Sequence, residues 1–171
     1  NALIDEDVIN ELSRASNAGV KIDLIVRGVC GLRPGIKGKS ENIKVRSIIG
    51  KYLEHARILY FKHAQPKIYI SSADWMPRNL NDRVELMVPI EDPEIKRRLK
   101  QMVDIELSDN QKAHIMQADG TWLKTISAEN QLCAQEYFQK IAEKRDAEDE
   151  MTLAQKLEPY TPVLGHGNGS D

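Results

Sequence analysis

The sequence is poor in cysteine, in net charge and in long apolar runs, and each shortage excludes a class of protein. Its 171 residues contain two cysteines, Cys30 and Cys133, whose separation matches no metal-binding or redox motif. Two isolated thiols fit a reducing compartment, so we expect inert cysteines and a cytoplasmic location, with membrane association left open. The formal net charge of −2 gives no argument for nucleic acid or for an anionic membrane as a partner. Any anionic ligand must be bound by local clusters of arginine and lysine.

Secretory and membrane-spanning segments are also missing from the pattern. No apolar run approaches the roughly 20 residues that a membrane helix needs, so we expect no integral membrane segment. The sequence begins NALIDEDVINELSRAS, which has neither the basic nor the apolar region of a signal peptide. It does not begin with methionine, which suggests a piece of a longer chain.

The remaining pattern predicts an α/β domain over residues 1–148, followed by a polar tail over 149–171 that is expected to be partly disordered. Helices are predicted at 5–18, 92–107 and 127–148, and strands at 21–28, 43–49, 57–61, 67–71 and 83–90, with shorter strands near 113–118 and 121–125. Asp92 and Pro93 are the predicted N-cap and first residue of the second helix. A helix followed closely by an apolar strand favours a mixed sheet flanked by helices.

Arg27 ends a predicted apolar strand immediately before Gly28. Ligands of open α/β sheets bind beyond the carboxyl ends of strands, and a guanidinium group there suits phosphate oxygens. The alternative is an arginine paired with a carboxylate such as Asp23 or Glu54. The Gly-rich loop that follows adds three further cations, which as individuals are best interpreted as solvated: Arg33, Lys37 and Lys39.

His55 lies in the mostly apolar run IIGKYLEHARILYF, residues 48–61. A lone histidine in such a run is often satisfied by a backbone carbonyl. Three arginines on neighbouring predicted strands or at their ends, Arg27, Arg46 and Arg57, favour a second interpretation in which an imidazole and several guanidinium groups surround a phosphate. The other histidines, His63, His114 and His166, are expected at the surface.

A second polar stretch, SSADWMPRNLNDRVE over residues 71–85, directly follows a predicted strand. Hydroxyl, carboxylate and amide groups at a strand end can orient a phosphate or a histidine ring. Ser72, Asp74 and Asn79 are therefore candidate supporting residues, together with Arg57. Trp75 is expected to fill the core.

Three blocks of the sequence together resemble a known family. The last domain of bacterial polyphosphate kinase, the enzyme that makes polyphosphate from ATP, is similar to GVKIDLIVRG, ENIKVRSIIGKYLEHARILYF and KIYISSADWMPRNLNDRVELMVPI in this order. The resemblance runs from near residue 1 to about residue 145. It implies a phospholipase D-like fold and the second of two related C-terminal domains in a longer enzyme.

The resemblance also implies roles for individual residues. The family arginine that contacts nucleotide phosphates corresponds to Arg27, and its active-site histidine corresponds to His55. The histidine that becomes phosphorylated, and most of the Mg²⁺ environment, are expected in the preceding domain, so this piece alone should be inactive. The implied partners are ATP or ADP, polyphosphate, the preceding domains of the chain and further copies of the full-length protein.

The phospholipase D pattern H-x-K-x4-D is only partly present. Its frame places Arg57 at the lysine position and Lys62 at the aspartate position. This departure disfavours hydrolysis of a phosphodiester but keeps a cationic phosphate site. Two alternatives to the kinase stay open: a dimeric phosphodiesterase, and a non-catalytic module that binds anions or packs on a neighbour through the apolar residues Leu132, Phe138 and Ile141.

Overall fold

The computed structural model describes residues 1–62 and 65–156, of which 147–156 are described as backbone only. These residues divide into two units, Asn1–Gln135 and the part of the chain that begins at Glu136. The candidate residues with described side chains all belong to the first unit. The predicted surface residues His63 and His166, and the end of the predicted tail, lie outside the described residues.

The first unit contains three helices and two sheets within its described residues. The helices are α1 (Glu6–Asn17), α2 (Pro77–Asn81) and α3 (Pro93–Ser108), and the strands are β1 (Ile22–Ile25), β2 (Ile43–Ile48), β3 (Ile58–Phe61), β4 (Lys67–Ser71), β5 (Met87–Ile90), β6 (Ala113–Met116) and β7 (Trp122–Lys124). One sheet has the order β1-β2-β6-β7, with β1 and β2 parallel and the other pairs antiparallel. The other is antiparallel, with the order β3-β4-β5. The predicted mixed α/β class with flanking helices is confirmed.

Local sequence signals account for the two longer helices of this unit. The side chain of Asp5 accepts a hydrogen bond from the Val8 N–H, and that of Asp92 accepts one from the Ile95 N–H. These caps satisfy backbone donors that the first helical turn leaves free. Gly19 follows the C-cap of α1 with φ of 87°, a conformation that glycine adopts without a steric penalty.

The hydrophobic core lies on the four-stranded sheet. Its central members are the buried residues Leu3, Val26, Leu32, Ile43, Val45 and Met116. The apolar face of α1 packs against this cluster through Val8, Ile9 and Leu12, and Trp75 packs there as well. Trp75 is therefore half-buried at the core, as predicted.

The last helix, α4 (Ala134–Lys156), begins later and ends later than the sequence predicts. The predicted start at residue 127 is wrong because Ser127 and Glu129 form a local turn through the Ser127 hydroxyl. The first helical N–H, that of Ala134, donates to Asp109 Oδ2 at 2.8 Å. A contact between residues 25 positions apart, rather than a local capping motif, therefore marks where α4 begins.

Candidate functional site

The N-terminal residues lie between two of the stretches that carry candidate residues. Leu3 forms isolated parallel β-bridges with Cys30 and with Trp75. Its N–H donates to the Val29 carbonyl at 2.9 Å, and the Trp75 N–H donates to the Ala2 carbonyl at 3.1 Å. Because the Leu3 side chain is buried in the core, these bridges hold the chain after β1 beside the chain after β4.

Arg27 lies just beyond the end of β1, where its guanidinium group binds two neutral oxygens. Its Nε donates to the Glu54 carbonyl at 3.1 Å, and its Nη2 donates to Asn1 Oδ1 at 2.7 Å. Among the described residues Arg27 forms no ion pair, so neither Asp23 nor the Glu54 carboxylate compensates its charge. The guanidinium charge is therefore available to an anionic ligand.

Gly28 allows the chain beyond β1 to approach the N-terminal residues closely. Its N–H donates to the Asn1 carbonyl at 2.6 Å. A Cβ atom at this position would lie 2.9 Å from the same carbonyl oxygen, which is closer than side chains tolerate. The absence of a side chain at Gly28 thus helps to place Asn1 against Arg27.

His55 lies in segment 49–57, which forms neither helix nor strand and joins β2 to β3. The residue is exposed, and its carbonyl accepts a hydrogen bond of 2.7 Å from Arg57 Nη1. No residue in the described part of the chain forms a hydrogen bond with the imidazole ring. Arg27 contacts the carbonyl just before His55 and Arg57 contacts the carbonyl of His55 itself, so the two guanidinium groups hold the backbone that presents the ring.

Arg57 and Asp74 form a forked ion pair. Arg57 Nε lies 3.2 Å from Asp74 Oδ1, and Arg57 Nη2 lies 2.8 Å from Asp74 Oδ2. Burial alone would raise the pKa of Asp74, but hydrogen bonds from Arg57, Asn1 and the Ala2 N–H outweigh this effect and lower the pKa. The Asn1 amide donates to Asp74 at 3.1 Å and accepts from Arg27, which joins the candidate residues in one network.

Ser72 and Asn79 bind a different carboxylate. The Ser72 hydroxyl and the Asn79 amide both donate to Glu85, the amide at 2.7 Å. These two hydrogen bonds, that from Ser72 first, lower the pKa of Glu85. The structure therefore brings Arg27, His55, Arg57 and Asp74 together, and it ties Ser72 and Asn79 to Glu85. The Asn79 Oδ1 atom is buried without a hydrogen-bond partner among the described residues.

Gln135, in the first turn of α4, contacts the backbone just before His55. Its Oε1 accepts from the Tyr52 N–H at 2.7 Å, and its Nε2 donates to the Tyr52 carbonyl at 2.9 Å and to Glu54 Oε1 at 2.6 Å. A Cβ atom on Gly50 would lie 2.5 Å from Gln135 Oε1. A glycine at position 50 therefore leaves the space that the glutamine amide occupies.

The carboxyl of Glu54 also meets the carboxyl of Glu106, from the last turn of α3. Burial, together with the hydrogen bond to Glu54 and the charge of Glu54, raises the pKa of Glu106 to about 8. Glu106 therefore holds a proton at neutral pH and can share it with Glu54. The glutamine amide thus supports the backbone before His55, and the protonated Glu106 carboxyl interacts with the Glu54 side chain.

The sequence of this chain is similar to that of a known protein family. Residues 1–135 match the sequence model of the family described as polyphosphate kinase C-terminal domain 2. The chain belongs to this family.

Individual polyphosphate kinases agree with this assignment. The polyphosphate kinase of Helicobacter pylori strain 26695 is 51% identical over 142 residues, which are 83% of this chain and 21% of that protein. The polyphosphate kinase of Campylobacter jejuni subsp. doylei is 50% identical over 165 residues, which are 92% of this chain and 24% of that protein. The chain thus spans between a fifth and a quarter of the length of these curated relatives.

A solved structure shows the same fold. The crystal structure of polyphosphate kinase from Porphyromonas gingivalis superposes with a TM-score of 0.81 at 39% identity, covering 86% of this chain and 23% of that chain. The resemblance noted in the sequence is therefore confirmed at the level of the family and of the mixed α/β fold.

Two members of the site in this polyphosphate kinase domain were missed by sequence reasoning. Gln135 lies 81 positions from Glu54 and 83 from Tyr52, and no local pattern links them. Glu106 lies on a helix whose periodic pattern shows which face is apolar but does not predict a contact with Glu54. The one sequence signal nearby was Gly50, which separates two apolar segments without a turn motif around it.

A cavity of about 500 Å³ lies behind Gly28. Its lining includes the chain after β1 (28–31), Arg33, Met116, Gly120 and Trp122. Of the three cations in the predicted Gly-rich loop, Arg33 reaches the cavity, and Lys37 and Lys39 are not among its lining residues. Burial raises the pKa of the Cys30 thiol, which also faces this cavity and therefore stays protonated.

Metal binding and membrane insertion find no support in the described side chains. No group of three or more His, Cys, Asp or Glu residues within this part of the chain could hold a metal ion. None of the described helices is both long and apolar enough to cross a bilayer.

Proposed function

We propose that this domain forms one side of the active site of a longer polyphosphate kinase, which reversibly transfers the terminal phosphate of ATP to polyphosphate. One observation carries the proposal. No described carboxylate compensates the charge of Arg27, and the same arginine holds the backbone that presents the exposed ring of His55. An uncompensated guanidinium beside a free imidazole suits the oxygens of a phosphate chain. The family membership supports the same conclusion.

The transfer would occur in two steps through a phosphohistidine in the preceding domain. A nitrogen of that histidine attacks the γ-phosphorus of ATP, an N–P bond forms, and the bond to the leaving oxygen of ADP breaks. A terminal oxygen of polyphosphate then attacks the same phosphorus, and the N–P bond breaks. Phosphoryl transfer depends mostly on positioning and on neutralisation of charge, which are tasks for side chains of this domain.

Arg27 and His55 would divide these tasks. Arg27 binds phosphate oxygens and balances the charge that develops on them, since a guanidinium group stays protonated at all working pH values. His55 donates a hydrogen bond to the transferring group or acts as an acid or base opposite the nucleophile. Arg57, compensated by Asp74, holds the His55 backbone and contributes less of its charge to the ligand.

The other components are proposed to lie elsewhere in the longer protein. Mg²⁺ would arrive with ATP and be held mainly by residues outside this domain. The partners are ATP or ADP, polyphosphate, the preceding domains and further copies of the full-length protein as a homo-oligomer. The proposed location of the whole enzyme is the cytoplasm, either free or associated with a membrane surface.

The two alternatives differ in how the site supports them. A phosphodiesterase of the phospholipase D type is disfavoured, because Lys62 stands where that chemistry uses an aspartate and Arg57 is occupied by Asp74. A non-catalytic anion-binding module describes the domain by itself, since the phosphorylated histidine is proposed to belong to another domain. The domain alone should therefore bind phosphate chains without making polyphosphate from ATP and Mg²⁺.

The test replaces His55 and Arg27 in the full-length enzyme. We expect His55→Ala and Arg27→Ala each to lower the rate of polyphosphate synthesis from ATP by about 10²–10³-fold, the usual effect of removing one group that stabilises the transition state. His114→Ala and Arg98→Ala, at positions outside the network, serve as matched controls. Near-normal synthesis by His55→Ala would exclude the catalytic role, and polyphosphate synthesis by the domain alone would contradict the division of the site.

A further inference from the structure

Segment 49–57 presents His55 without the support of a helix or a strand. Its backbone is held instead by two side chains from elsewhere in the chain, Arg27 at the Glu54 carbonyl and Gln135 at Tyr52, and by Arg57, the last residue of the segment, at the His55 carbonyl. Of these, the Gln135 amide makes the largest number of contacts. It engages both the N–H and the carbonyl of one residue, as a neighbouring strand would, and it adds a hydrogen bond to the Glu54 carboxylate.

We propose that Gln135 is a positioning residue that fixes segment 49–57 so that the His55 ring meets the transferring phosphate. This inference rests on the proposed role of His55. Gln135 is 5% exposed and lies on the side of the segment that faces the protein, so it acts through the backbone and does not touch the substrate. Its contacts span 81 and 83 positions of sequence, and they therefore couple the start of α4 to the site.

The residue next to Gln135 is buried and hydrogen-bonded to a distant carboxylate. This residue, Ala134, is fully buried, and its N–H donates to Asp109 Oδ2 at 2.8 Å. The other oxygen of the Asp109 carboxylate accepts from the N–H groups of Gln111, Lys112 and Ala113, at 3.0, 2.7 and 3.0 Å. One buried carboxylate thus ties the first turn of α4 to the start of β6, and it fixes the backbone from which the Gln135 amide reaches out.

The fit of the amide to the segment is specific. Gly50 leaves room for Gln135 Oε1 that a side chain at this position would fill. The orientation of the amide is set by its partners, because Oε1 must accept from the Tyr52 N–H and Nε2 must donate to the Tyr52 carbonyl and to Glu54. A residue of the same shape with acceptors only, such as glutamate, would keep the first contact and lose the other two.

The experiment uses the full-length enzyme with Gln135→Glu and, as a matched control, Gln117→Glu. Gln117 is partly buried and, like Gln135, donates to a backbone carbonyl, that of Ile115, but it lies in the β6–β7 hairpin. We expect Gln135→Glu to lower kcat at saturating ATP by about 10- to 100-fold, the cost of a small misplacement of a catalytic group. The Kd for ATP should change little, because Arg27 is intact, and the control should keep its kcat.

A reciprocal exchange separates positioning from a general loss of structure. In the double variant Glu54→Gln/Gln135→Glu, the donor and the acceptor of one hydrogen bond change places. We expect it to recover a large part of the kcat that Gln135→Glu loses, at least about threefold. Hydrogen–deuterium exchange of the peptide covering 49–57 should rise in Gln135→Glu and fall again in the double variant, whether or not the enzyme turns over.

The outcomes distinguish this inference from the proposed function. The positioning role would be overturned if Gln135→Glu kept a normal kcat and normal hydrogen–deuterium exchange in 49–57 while His55→Ala was inactive. The proposed function would then still stand. A full-length His55→Ala enzyme with normal activity would overturn the function. Gln135→Glu could instead lose kcat, ATP affinity and melting temperature together, and the double variant could fail to recover them. This result would show a role in stability only and would also overturn the inference.

Discussion

At the scale of single residues, the pair Arg57 and Asp74 is expected to matter more for stability than the exposed ion pairs. The exposed fractions of the two side chains are 23% and 10%. Asp74→Ala would leave the Arg57 guanidinium and the Asn1 amide without their shared acceptor. We expect the free energy of unfolding to fall by about 2–4 kcal/mol, because breaking a buried pair leaves an uncompensated charge.

Urea denaturation of the Asp74→Ala chain measures this loss. The matched control is Asp104→Ala, which breaks the more exposed pair between Asp104 and Lys100 on α3. That change should cost less than about 1 kcal/mol. Equal losses for the two variants would contradict the account of Asp74 as the acceptor that joins the network.

Glu106 predicts a dependence of stability on pH. A carboxyl whose pKa rises on folding contributes stability that is fully present below its unfolded pKa, about 4.3, and that is lost as the pH rises through its folded pKa. For Glu106 the window ends at about 8. Stability should therefore fall between these values, because the folded state holds a proton there that the unfolded state has released.

Glu106→Gln tests this origin of the fall. The amide can still donate to Glu54 but does not titrate, so the decline of the urea midpoint between about pH 5 and pH 8 should become shallower. Glu91→Gln, at an exposed position of the same unit, should leave the decline unchanged. If the Glu106→Gln curve kept the full slope, another group would have to be responsible.

At the scale of elements, segment 49–57 links the two sheets and depends on Gly50 for its close approach to Gln135. Gly50→Ala would place a methyl group 2.5 Å from Gln135 Oε1, so the amide or the segment must move. We expect kcat of the full-length enzyme to fall by about tenfold, as for other small displacements of a catalytic group.

A double-mutant cycle with Gln135→Ala checks the cause. Where the glutamine amide is already absent, Gly50→Ala should add little further loss, because the two changes act through one contact. Additive losses would mean that Gly50 serves the segment in another way, for instance through its backbone freedom.

The same scale shows which elements sequence patterns could predict. The helix α1 was predicted with nearly correct bounds because its apolar residues recur at helical spacing, and α3 because Asp92 and Pro93 are local signals. The strand predicted at 83–90 begins only at Met87, since the Ser72 hydroxyl and Glu85 organise the residues before it. The start of α4 depends on Asp109, a partner too distant in sequence for a local pattern to reveal.

At the scale of the whole molecule, the candidate site contains some residues that the sequence identifies and others that only the structure identifies. Arg27 stood out as a charge at a strand end and His55 as an imidazole in an apolar run, and the family resemblance supplied their roles. Their connection through the Asn1 amide and the support from Gln135 depend on the tertiary fold. No pattern of composition or periodicity carries that information.

The central claim is that Arg27 and His55 act on the same phosphoryl transfer in a polyphosphate kinase. The most direct test measures both directions of the reaction in the full-length enzyme, polyphosphate formed from ATP and ATP formed from ADP and polyphosphate. Because the forward and reverse reactions cross the same transition states, Arg27→Ala and His55→Ala should each lower the two rates by the same factor, about 10²–10³. Normal rates in both directions for either variant would contradict the claim.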